Sequence, residues 1–135
     1  MRLSQAIALG RTLCSPVPAT QDDLNGGGCA LGMGARALGL KFFHGYSLNE
    51  INYPTLRNRV EMPCSCDLPR GDYWYGTLGG AIAHFFNEHV FGAKDWTLDQ
   101  LIDWVRSVEP AEETPRPTDA LAKEPVSAEE LSKRV

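Results

Sequence analysis

Cys64 and Cys66, followed by His84 and His89, constrain this chain more than any other feature. Two thiols and two imidazoles make a full tetrahedral donor set for zinc. One ion holding all four would fold residues 64–89 back on themselves. In a chain of 135 residues such a clasp matters, because small domains bury a limited fraction of their surface. The spacings impose two demands. C-x-C is tighter than the C-x2-4-C usual in structural zinc sites, so a turn is needed to aim both sulfurs at one point. H-x4-H lies within the permitted range, yet five residues of ideal α-helix set two side chains about 140° apart. His89 is therefore expected where its helix unwinds, near Gly92. A metal-free alternative treats the cysteines as small buried apolar residues and the histidines as helix-surface residues. Cys29 and Asp67 are alternates for one ligand position, while Cys14 and His44 read as bystanders.

The pattern around this cluster is mainly helical. Leu3, Ala6, Ile7, Gly10 and Leu13 recur at helical spacing, and Pro16 and Pro18 stop any extension. After a polar, glycine-rich stretch from Thr20 to Gly28, CALGMGARALGL reads as a buried helix. Gly32 and Gly34 weaken it, and close approach by a neighbouring backbone is the expected compensation. Ser47 with Glu50 forms a capping-box pattern, and Pro54 suits the first position of a helix over PTLRNRVEM. PCSCDLPRGD is a loop by its prolines. Leu78, Ile82, Phe85 and Phe86 mark a helix from Thr77 to His89. Thr97, with Gln100, opens a last helix whose stripe is Leu98, Leu101, Ile102, Val105 and Val108. These segments predict a compact bundle of about five short helices with long loops, spanning residues 1–108.

Beyond Pro110 the large apolar residues almost vanish. Residues 109–135 carry seven acids and four bases, and they predict a flexible acidic tail. The whole chain has a net charge of −4, so the domain is left near −1, and nucleic acid is an unlikely partner. Arg57, Arg59 and Arg70 read as a solvated face. Ser4, Gln5 and Arg11 interrupt the N-terminal apolar residues, which argues against a signal peptide, and no window reaches the roughly 20 apolar residues of a membrane span. The cytoplasm is the expected compartment, where four cysteines point to metal, catalysis or burial before disulfides.

A catalytic alternative centres on Cys29, which follows three glycines at the start of a helix. A helix N-terminus stabilises a thiolate, and papain-like and transglutaminase-like hydrolases present their nucleophile this way. His84 or His89 would be the base, oriented by Asn87 or Asp95. Those families place the histidine on a strand, whereas here it lies in a helical pattern. GGGCALGMG does not match a phosphate-binding loop, since no lysine follows. Trp96 and Trp104 are expected to pack around the last helix, and Tyr73, Trp74 and Tyr75 near the cysteine loop.

Taken together, CALGMGARALG, PCSC and AIAHFFNEHVFGAKDWTLDQLIDWVRSVE resemble a group of small uncharacterised bacterial and phage proteins. In that group a Cys-Ala-Leu-Gly helix precedes a cysteine pair, and H-x4-H leads into W-T-x3-I-x-D-W-V. Cys29, His84, His89, Trp96, Thr97, Ile102 and Trp104 fit the pattern; the pair here is C-S-C where C-P-x-C is expected. The resemblance covers residues 29–108 and implies a phage or mobile-element origin without an activity. The expectation is a small helical protein, held by zinc and acting by binding another protein. A cysteine hydrolase or transferase is the alternative.

Overall fold

The computed structural model describes residues 1–23, 26–42, 45–66 and 76–110. His44, Asp67, Arg70, Tyr73, Trp74, Tyr75 and the tail beyond Pro110 lie outside the described residues. Among those described the fold is mainly α, with helices α1 (Leu3–Gly10), α2 (Ala30–Leu38), α3 (Leu78–His84) and α4 (Leu98–Val108). Strands are minimal. β1 (Ser15–Pro16) pairs in parallel with β2 (Gly27–Gly28), and β3 (Lys41–Phe42) pairs antiparallel with β4 (Gly45–Tyr46). No helix among the described residues is long and apolar enough to cross a membrane.

The core forms where the helices meet. Leu3 and Ile7 of α1, Met33 of α2, Leu78 and Ile82 of α3 and Leu101 of α4 are all fully buried, together with Tyr53, Phe85 and Phe86. Two glycines let backbones touch. A Cβ on Gly10 would fall 1.9 Å from the Met33 carbonyl oxygen, so α1 lies directly on α2. A Cβ on Gly32 would fall 2.0 Å from the Gln21 oxygen, which is the close approach its helix-weakening residue type predicts. Gly34 differs, because its neighbours are side chains, the nearest being Leu48.

Two carboxylates tie α1 to α4. Glu109, whose side chain is fully buried, accepts from the Ser4 N–H at 2.9 Å and from the Ser4 hydroxyl, and pairs with Arg2 at 3.0 Å. Residue 109 thus caps the first turn of α1 from the C-terminal end of α4. At the other end of α1, Arg11 pairs with the exposed Asp99 in the first turn of α4.

Three local expectations change. The first helix ends at Gly10, three residues early, in a tight turn that Thr12 closes on the Leu9 carbonyl. Ser47 and Glu50 do not cap a helix. The Asn49 side chain instead accepts from the N–H groups of Ile51 and Asn52, an Asx turn that displaces the helical alternative. Pro54 does begin a helical turn, but a 3-10 turn of four residues, Pro54–Arg57. The chain then extends because residues 58–60 bond residues 76–78: Leu78 donates to the Asn58 oxygen and Val60 to the Gly76 oxygen.

Candidate metal centre

That short pairing delivers the cysteines. It lays residues 58–60 against the start of α3, and Cys64 and Cys66 follow within a few residues of irregular chain. Thr77 caps α3 by accepting from the Gly80 N–H at 3.2 Å. At His84 the helix does not end but widens, continuing as a π-helix over Phe85–Gly92. The Ala93 N–H closes it on the Glu88 oxygen at 2.7 Å, five residues back. In such a helix the hydrogen bond spans five residues, which brings side chains five apart to the same side of the helix. This resolves the awkward H-x4-H spacing: His89 meets His84 because the turn has taken in an extra residue, with the two rings 5.1 Å apart. The expected unwinding is a change of register instead.

All four predicted ligands come together. The Cys64 sulfur lies 3.4 Å from His84 Nε2 and the Cys66 sulfur 3.3 Å from His89 Nε2. The four donor atoms lie within 4.8 Å of one another. Bonds of about 2.0–2.3 Å to one tetrahedral ion give sulfur–nitrogen edges of about 3.5 Å, so both matched pairs already stand near ligand spacing. The cluster can hold a metal ion. Each thiol faces its own histidine, which is how a pair as tight as C-x-C reaches one point.

The surroundings prepare the donors. Asp95 Oδ1 lies 2.9 Å from His89 Nδ1; with Nδ1–H donating to that carboxylate, Nε2 carries the free lone pair. Lys94, with φ of +57°, makes the turn that brings Asp95 back to the ring. Burial, then the neighbouring His89, pushes the His84 pKa down, which keeps the imidazole neutral and fit to ligate. The Cys66 thiol is pushed up, first by its hydrogen bond with Cys64 and then by desolvation, with lesser contributions from Cys64, Asp95 and Glu88 charge. Phe85 stacks on Trp96 at 4.6 Å and meets Trp104 edge-on at 5.3 Å, an apolar wall behind His89.

The other candidates fall elsewhere. Cys14 sits half-buried against the Gly10 oxygen, away from the cluster. Cys29 is the N-cap residue of α2, as its position before the helix suggests, but it is only 4% exposed. Burial raises its pKa, and the opposing pull of the Gly32 and Leu31 N–H groups is smaller. Both imidazole Nε2 atoms face Cys64 and Cys66. Of the two residues considered for orienting a catalytic base, Asp95 does bond His89, within the cysteine–histidine cluster, while Asn87 accepts from the Ala19 N–H at 2.8 Å. The sequence signal missed was the extra residue in H-x4-H, the mark of a π turn.

Comparison with protein-family models, with curated proteins and with solved structures finds no match.

Proposed function

We propose that this chain is a small interaction protein of phage or mobile-element type, held in shape by one zinc ion and acting by binding another protein. The observation that carries the zinc part is the convergence of two thiols and two imidazoles, already paired at 3.4 and 3.3 Å. An S2N2 tetrahedral set suits zinc, and four protein ligands leave no open position for activating water. Such an ion stabilises a surface and is not a reagent. The resemblance over residues 29–108 supports the phage-type origin, and the reduced thiols suit the cytoplasm.

A hydrolase or transferase built on Cys29 is the alternative. One observation favours it: Cys29 and Asn87 line the same cavity of about 530 Å³. Against it stand the burial that keeps the thiol protonated and the engagement of both imidazoles elsewhere.

The deciding experiment is metal content by mass spectrometry of the protein purified without chelator, with His84→Ala and Cys64→Ala in parallel. One zinc per chain, lost in both variants together with thermal stability, is expected. Protein that carries no metal, or variants that keep it, would overturn the zinc assignment.

A further inference from the structure

The π segment has a second side. Asn87, between the two histidines in sequence, turns away from the metal cluster, and its Oδ1 accepts from the Ala19 N–H at 2.8 Å. With Ala83 it walls the cavity of about 530 Å³ that Thr20, Gln21, Cys29 and Tyr46 also line. Ala19 is held in the left-handed region, at φ +69°, a conformation that a residue with a Cβ adopts only under restraint. The next residue completes the path, since the Thr20 oxygen accepts from the Cys29 N–H at 2.7 Å. A continuous chain of contacts therefore runs from the cysteine–histidine cluster through the π register, Asn87 and strained Ala19 to Cys29.

We propose that metal occupancy and the state of the Cys29 cavity are coupled through this segment. The inference rests on the zinc assignment above. In the π register His89 stands over His84, and Asn87 reaches Ala19. In an α register the histidines diverge by about 140°, and Asn87 turns with them. π turns are rare and seldom run long, and the α register is the alternative against which this one would be selected. The ion selects the π register by binding both imidazoles. Its loss frees Asn87, lets Ala19 leave the left-handed region, and loosens the wall over Cys29. By reciprocity, a ligand that fills the cavity and presses on Asn87 alters zinc affinity by the same factor.

Cys29 reports the coupling directly, because it is 4% exposed and lines the cavity. The experiment compares alkylation by iodoacetamide in zinc-loaded and chelator-stripped full-length protein, with initial rates read cysteine by cysteine by peptide mass spectrometry. Stripping is expected to accelerate Cys29 on the order of tenfold, within the usual range of site-to-site couplings, while Cys14 changes by less than about twofold. Asn87→Ala is expected to retain one zinc per chain and to accelerate Cys29 in the loaded state. Equal Cys29 rates in loaded and stripped protein would overturn the coupling while leaving the zinc assignment standing. So would parallel acceleration of Cys14, which signals general loosening, or an unchanged Cys29 rate in the zinc-loaded Asn87 variant. Protein that binds no zinc removes the premise, and with it both proposals.

Discussion

The seam between α1, α2 and α4 and the corner around the cysteines are built from opposite materials. In the seam, backbones touch, Gly10 on Met33 and, beside it, Gly32 on the Gln21 loop, and the buried carboxylate of Glu109 has hydrogen bonds from Ser4 and an ion pair with Arg2. In the corner, residues 61–66 have no helix or strand of their own, and four side-chain donors meet between that irregular stretch and the π turn. The seam is held by close packing and by the hydrogen bonds and ion pair that Ser4 and Arg2 make with Glu109. The corner gathers two thiols and two imidazoles, one of them desolvated, into a set that can hold a metal ion. One half of the molecule is thus a scaffold and the other a site.

The largest effect that would sharpen this division is Glu109→Ala. It strands the Ser4 N–H and hydroxyl in a fully buried position and removes the partner of Arg2. A loss of about 3 kcal/mol in denaturant unfolding is expected, with zinc content per chain unchanged. A loss below about 1 kcal/mol would mean that the seam does not depend on this staple.

Asp95→Ala acts on the other side of the division. The carboxylate is more than half exposed, so the metal-free protein should unfold as before. Zinc affinity, measured by competition with a chromophoric chelator, should fall about 10- to 100-fold, the usual consequence of removing the group that orients a ligating histidine. An unchanged affinity would show that the His89 ring is held by Phe85 and Trp96 alone.

How legible these features were follows how local their causes are. The α4 capping box needs only Thr97 and Gln100, three residues apart, and it forms as its pattern predicts. The cysteine–histidine set is visible by residue type, because few other combinations supply four such donors. The π register was hidden, since helical periodicity assumes 3.6 residues per turn and reads an extra residue as a misfit. The helix expected after Pro54 failed for a non-local reason: residues 58–60 are captured by residues 76–78. Glu109 looked like the first acid of a tail, and nothing local reveals that its partner is Ser4, 105 positions earlier.

The smallest effect makes the sharpest test, because Asp99 and Glu109 perform the same task in opposite surroundings. Each is a carboxylate joining α1 to α4, Asp99 through Arg11 and Glu109 through Arg2 and Ser4. The Asp99 side chain is 77% exposed, whereas that of Glu109 is fully buried. Water screens the first pair and orders no orphan donor when it is lost, so Asp99→Asn should cost less than about 1 kcal/mol. At 1 M salt, where charges are screened beyond about 3 Å, even that cost should shrink, while the Glu109→Ala cost persists. Chemical denaturation of both variants in urea, at low and high salt, separates the cases. Equal costs in the two variants would mean that charge and not burial joins the helices.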